Sequence, residues 1–183
     1  SMMCVLPAHA QTNNSKEIDT QRYLALLLLN LEEKEDPRTI ELIKLAKQNG
    51  MNAVYITLPW DKVYLKSPND TPNWGRFDEQ VKLATSLGMK VALRIHLGRH
   101  QTSFKTFWQD SDRQVSNDGK PMLGGYGDTF FGFDNQPIII KAAAFVKEAT
   151  NRYKYLQTDK KLLFISVTNT PTQEGEYAGG ILE

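Results

Sequence analysis

Arg94 and His96 stand two residues apart in the run MKVALRIHL, residues 89–97. Alternate residues of a strand share a face, so both polar side chains point the same way while Leu93 and Ile95 point the other. Charged groups at the C-terminal end of a strand suit the mouth of a site; the competing reading is a structural ion pair. A second set follows the run KLLFISVT, residues 161–168: Asn169 ends it, and Glu174 and Glu176 lie in the polar loop beyond. A carboxyl partly buried beside aromatics has its pKa raised and can donate a proton, whereas a solvated loop carboxylate cannot. Asn169 can hydrogen-bond a hydroxyl of a ligand or simply form the turn. Trp60, Trp74 and Trp108 fall in stretches that follow strands. An indole plane there suits the apolar C–H face of a sugar ring, or it anchors its own loop, the reading favoured for Trp74.

Other chemistries find little support. The single cysteine, Cys4, excludes an internal disulfide and a cysteine metal cage. His96 and His100 are four apart, but RIHLGRH reads as a strand end and loop rather than a helix, so no metal is expected. The Asp110-x-Asp112 pair lacks the spacing of a calcium loop. No G-x-G-x-x-G or G-x-x-x-x-G-K-[ST] follows any strand, which argues against a nucleotide, and no cofactor is expected. With 22 basic and 21 acidic residues, charge makes no case for nucleic acid or an acidic membrane surface. No segment is long and apolar enough to span a bilayer.

The elements that must position these residues alternate. Residues 1–20 read as a signal-peptide remnant and disordered N-terminus: MMCVLPAHAQT ends in Ala8-His9-Ala10 followed by Gln11, resembling the tail of a secretory signal. A secreted or periplasmic location follows. Residues 21–183 read as one domain. The apolar run 22–31 is a buried strand. A helix follows, with Asp36 as N-cap, Pro37 in its first turn and Gly50 as its stop. Residues 52–58 are a strand. Residues 75–88 are a helix carrying Phe77, Val81, Ala84 and Leu87 on one side, and 89–97 are a third strand. A Gly-, Asp- and aromatic-rich insert spans about 98–135, in which GGYGDTFFGF suits a flexible lid. A long helix begins near Pro137 and aligns Ile138, Ala142, Phe145, Ala149 and Leu156. Residues 161–168 are the fourth strand.

Repeated strand and helix signals predict an α/β fold with a parallel sheet, either an open doubly wound sheet or a barrel. Without nucleotide loops, the (β/α)8 TIM-barrel type is favoured. A complete barrel needs about 250 residues, so about four βα units make a half barrel or truncated barrel. The expectation is the front half of a longer protein. The alternatives are pairing with a second copy, as a homodimer, and an open sheet.

Gly50, Asn52 and Val54, then Trp60, then Trp74-Gly75-Arg76-Phe77-Asp78, then Gly88, Lys90, Val91, Leu93 and Arg94 follow in order. This series resembles the N-terminal half of clan A glycoside hydrolases, especially the family 42 β-galactosidase-like and cellulase-like barrels, over roughly residues 22–177. The resemblance implies a carbohydrate partner and hydrolysis of a poly- or oligosaccharide. It places the acid/base carboxylate in an Asn-Glu pair at the end of the fourth strand. Here the match is Asn169-Thr170-Pro171, and a threonine cannot serve as a general acid near neutral pH. The family's nucleophile lies near a seventh strand, which this sequence does not contain. Glycosidic hydrolysis needs two carboxyl groups across the bond. Glu174, four residues beyond the family position, is the candidate acid/base if its loop folds back. Asn169, Arg94, His96, Trp60, Trp108 and Glu176 are the candidate substrate-binding residues. Two other readings compete: a catalytically inactive glycan-binding barrel, and a half-barrel interaction module.

Overall fold

The computed structural model describes residues 22–30, 36–65, 69–97, 114–120 and 136–168. Helix α1 (Thr39–Gln48) begins behind Asp36. The Asp36 carboxylate accepts the Arg38 N–H at 2.9 Å, and its carbonyl accepts the Thr39 N–H at 2.9 Å. The Arg38 guanidinium bonds the same carboxylate and holds its pKa down at about 2. At the far end Gly50 adopts φ +84°, and Gly50 and Met51 donate back to the carbonyls of Lys47 and Ala46. This double closure satisfies carbonyls that the helix end leaves open. Helix α3 (Gly75–Ser86) ends identically, with Gly88 at φ +72° and bonds from Gly88 and Met89 to Thr85 and Ala84. Helix α4 (Gln136–Tyr153) runs into the short α5 (Tyr155–Thr158). There Lys160, at φ +56°, takes the glycine's place, with bonds from Lys160 and Lys161 to Gln157 and Leu156. Each closure turns the chain straight into the next strand.

The strands β1 (Ala25–Leu28), β2 (Ala53–Pro59), β3 (Lys90–His96) and β4 (Leu162–Thr168) form one four-stranded parallel sheet in chain order. The fold is the α/β arrangement that the alternation implies. Strand β1 is shorter than the apolar run that contains it. Before it, the Asn52 amide accepts the Leu24 N–H at 2.8 Å and donates to the Arg22 carbonyl at 2.9 Å, clipping the segment by a side chain. After it, Asn30 turns left-handed at φ +54°. The one-turn helix α2 (Trp60–Val63) adds to the sequence reading, since four residues carry no periodicity.

Sequential strand order with right-handed crossovers places the helices on one face of the sheet. The core agrees. Val54, Ile56 and Leu58 of β2 and Val91, Leu93 and Ile95 of β3 pack with Ile43, Phe77, Val81 and Phe145 from the helices. The α4 stripe expected from periodicity, Ile138, Ala142, Phe145 and Ala149, is buried in full, as is Leu156 of α5. Among the described strands the order never reverses, so the sheet has no switch point of the doubly wound kind.

Candidate functional site

The alternate residues of the same strands line the opposite face, called here the lumen face. Thr57 pairs in register with Arg94, and Arg94 with Ser166; Pro59 pairs with His96, and His96 with Thr168. These positions climb toward the C-terminal strand ends. Tyr55 lies one step below. Its ring sits under the Arg94 guanidinium at 4.7 Å, its hydroxyl accepts the Arg94 Nε–H at 3.1 Å, and it shares a 2.7 Å hydrogen bond with Ser166 Oγ. Phe164 meets the same ring edge-on at 5.2 Å. Three strands are thereby joined by side chains. Polar groups on a half-buried sheet face must pair with something, and Tyr55, Arg94 and Ser166 pair with each other. A guanidinium, two hydroxyls and two aromatic rings on one face of the sheet can recognise a polyhydroxylated ligand through hydrogen bonds and C–H stacking.

Of the candidate residues, the structure places Arg94 in this network, bonded to its hub Tyr55 and partly exposed. His96 lies at the last position of β3, one register step nearer the mouth, and is only 1% exposed. Trp60 lies elsewhere. It is 1% exposed and stacks on Phe145 of α4, with centroids 6.0 Å apart and planes 12° from parallel. It anchors α2 to the helix layer. Trp74 is buried too, stacked on Phe145 from the start of α3, and its Nε1–H donates to Glu148 at 3.0 Å. Asn169, Thr170, Glu174, Glu176 and Trp108 lie outside the described residues, as do His100 and the GGYGDTFFGF stretch.

Tyr55 and Ser166 are members of the network that the sequence reading did not single out. Their signal was the period of two: Tyr55 and Thr57 on β2 alternate with apolar residues just as Arg94 and His96 do on β3. Two further polar joints sit in the helix layer. The Tyr64 hydroxyl donates to Glu148, and burial with this bond raises the Tyr64 pKa. The Tyr153 hydroxyl donates to Asp78 at 3.0 Å, Arg152 pairs with the same carboxylate, and burial foremost raises the Tyr153 pKa. The first joint holds the end of α2 to α4 and the second holds α3 to α4. Asp61 and Lys62 form a buried pair at 3.2 Å in α2.

No protein-family model matches the chain, and no curated protein is significantly similar to it in sequence. Solved structures do resemble it. A β-galactosidase from the Antarctic haloarchaeon Halorubrum lacusprofundi aligns with 72% of this chain at TM-score 0.55 and 17% identity. A family 36 α-galactosidase from Geobacillus stearothermophilus, solved with 1-deoxygalactonojirimycin, aligns with 82% at TM-score 0.51 and 10% identity. A trimodular family 5 endoglucanase aligns with 85% at TM-score 0.50 and 19% identity. The chain spans 19%, 21% and 27% of those proteins respectively. The likeness is one of fold: the four-stranded parallel unit is that of part of a TIM-type barrel.

Proposed function

We propose that this chain is part of an exported carbohydrate-active barrel that binds a poly- or oligosaccharide on the lumen face and hydrolyses its glycosidic bonds. The Tyr55–Arg94–Ser166 network is the observation that carries the proposal, because it gathers polar and aromatic side chains on the face away from the helices. Arg94 and Tyr55 would bond sugar hydroxyls, with His96 nearer the strand ends. Asn169 and Glu176 would extend the contact surface, and Glu174 would supply the acid/base carboxyl. The reading is supported by the barrel-type fold and by the residues that resemble clan A glycoside hydrolases. Export is supported by the Ala8-His9-Ala10 pattern; N-terminal sequencing of protein recovered outside the cytoplasm would find a start at Gln11.

Reducing-sugar release and isothermal titration over a panel of β- and α-linked oligosaccharides test the proposal together. Hydrolysis lost in Glu174→Gln, with binding retained, is the expected pattern. Turnover indifferent to Glu174→Gln removes Glu174 from the mechanism. The second reading is glycan binding without turnover, favoured by Thr170 at the position where the related barrels carry a carboxylate. Binding by the unmodified chain with no product release would establish it.

A further inference from the structure

Charge is divided unevenly between the two layers of this molecule. In and around the helices, cations stand beside carboxylates: Lys44 with Glu41, Lys62 with Asp61, and Arg152 with Asp78. The four described strands contain Lys90, Arg94 and His96 and no Asp or Glu. All three of those residues belong to β3, at alternate positions, so all three lie on its lumen face. The near-balance of 22 basic and 21 acidic residues over the whole chain conceals this local excess.

Arg94 is the member of the column held most firmly. Its guanidinium lies over the Tyr55 ring at 4.7 Å, and its Nε–H donates to the Tyr55 hydroxyl at 3.1 Å, so the orientation of the fork is set before any ligand arrives. Thr57 and Ser166 occupy the adjoining register positions on either side. His96 stands two residues on, about 6–7 Å nearer the strand ends. A planar guanidinium matches a carboxylate through two parallel N–H···O bonds, which a neutral hydroxyl cannot return. A cation among rings and hydroxyls has also given up part of its hydration, and a ligand of opposite charge offsets that cost where a neutral one does not.

We infer that the lumen face takes an acidic glycan, with a uronate carboxylate bound by Arg94 and the positive field of the β3 column favouring its approach. The inference rests on the carbohydrate reading above and names the class of sugar. The aromatic ring of Tyr55 and the flanking hydroxyls serve the sugar ring, and Arg94 serves the acid. The subsite is local to β2, β3 and β4, so it is the same in a chain of any length.

Isothermal titration of the full 183-residue chain tests it. The probes are trimers of α-linked galacturonate and of β-linked mannuronate, each as the free acid and as its methyl ester, beside the neutral panel. The ester keeps the ring and the linkage and removes the charge. The free acid should bind at least about tenfold more tightly than its ester at low salt. Rising ionic strength should narrow that ratio. Arg94→Gln, with circular dichroism unchanged, should abolish the preference, and Lys82→Gln on the exposed face of α3 should leave it intact. The salt series reads the same charge in the unmodified chain, should Arg94→Gln fail to fold. Equal binding of acid and ester overturns the inference and leaves the carbohydrate reading standing; an Arg94 engaged by a carboxylate of the protein's own would give that result. A preference that persists in folded Arg94→Gln removes Arg94 from the subsite and overturns the inference as well. Binding of no sugar, neutral or acidic, sinks the carbohydrate reading itself and this inference with it.

Discussion

Strands β2 and β3 show two different surfaces built from one backbone. Toward the helices they present Val54, Ile56, Leu58, Val91, Leu93 and Ile95, all fully enclosed. Toward the lumen they present Tyr55, Thr57, Arg94 and His96, with Arg94 bonded to Tyr55 and Tyr55 bonded to Ser166 of β4. Successive side chains point oppositely, so the two sets evolve under different physical demands. On the first face burial of apolar area holds the fold, at roughly 25 cal/mol per Å² removed from water. On the second, partnered polar atoms add little net stability but hold donors and acceptors in place. Changes to the helix face should therefore act on folding, and changes to the lumen face on ligand.

The largest expected effect is at Phe145. Its ring lies between Trp60, at 6.0 Å, and Trp74, at 5.8 Å, and it ties α4 to α2 and α3. Phe145→Ala should cost about 3–5 kcal/mol by denaturant unfolding, with the loss combining transfer and cavity terms. A cost below about 1 kcal/mol would mean that the aromatic layer is not the keystone its geometry indicates.

Gln80 comes next, as the polar exception within the helix-side core. Its amide exchanges hydrogen bonds with Asn30 at 2.9 and 3.0 Å, and Asn30 also donates to the Thr57 carbonyl at 3.0 Å. This amide pair locks the end of β1 to β2 and α3. Gln80→Ala leaves the Asn30 carbonyl oxygen without that partner and should cost about 1–3 kcal/mol. Gln80→Glu, which cannot donate back to Asn30 when ionised, should be destabilising near neutral pH and partly restored in acid. Equal stability of Gln80→Glu at both pH values would show that the amide donor is unimportant.

The helix-layer joints give a pH signature that the lumen does not. Tyr64 and Tyr153 are held neutral by burial and by donation to Glu148 and Asp78, so their folded pKa values exceed the unfolded value of about 10. Below pH about 10 both states bind the phenolic proton and the contribution is complete. Above it the unfolded chain loses protons first, so stability falls as pH rises. Unfolding curves of the double variant Tyr64→Phe, Tyr153→Phe should lack this alkaline loss. An unchanged slope above pH about 10 would assign it to other groups.

The same division explains what could be read from the sequence. The α4 stripe from Ile138 to Ala149, the α3 stripe through Phe77, Val81 and Ala84, and the stops at Gly50 and Gly88 were legible, because periodicity and a left-handed residue are local signals. The pairing of Arg94 with Tyr55 and Ser166 was not, because it depends on strand register across residues 39 and 72 positions apart. Trp60 shows the opposite difficulty. A tryptophan after a strand suits a ligand platform or an anchor equally well by sequence, and only the ring of Phe145 beneath it reveals the anchored position. Asn52 looked like a motif letter; its amide is the clip that fastens the segment before β1.

Lys160 offers a smaller effect of opposite sign. It occupies φ +56° where the two other helix closures carry glycine at φ +84° and +72°. A β-carbon in that conformation costs about 1 kcal/mol. Lys160→Gly should therefore raise stability by up to about 1 kcal/mol, less the greater chain entropy of glycine when unfolded. The Lys160 carbonyl that accepts from Lys90 Nζ remains available, so this contact survives the change. A decrease in thermal midpoint would show that the lysine side chain itself contributes to the turn.

The smallest effect on stability is expected at Arg94, where the two faces are told apart most sharply. Arg94→Ala removes the guanidinium over Tyr55 and the Nε–H bond to its hydroxyl, but that hydroxyl keeps Ser166 at 2.7 Å. A partly exposed cation–π contact is worth about 0.5–1 kcal/mol, and no buried group loses its last partner on the Tyr55 side. Unfolding should shift by less than about 1 kcal/mol, while titration with any oligosaccharide that binds the parent chain should weaken at least about tenfold. Arg94→Lys keeps the charge but not the planar fork, and should recover little of that binding. If Arg94→Ala instead unfolds the protein as Phe145→Ala does, the lumen network belongs to the fold, and the contrast between the faces is one of composition only. If folding and binding both survive, the ligand face lies nearer the strand ends, at His96 and beyond.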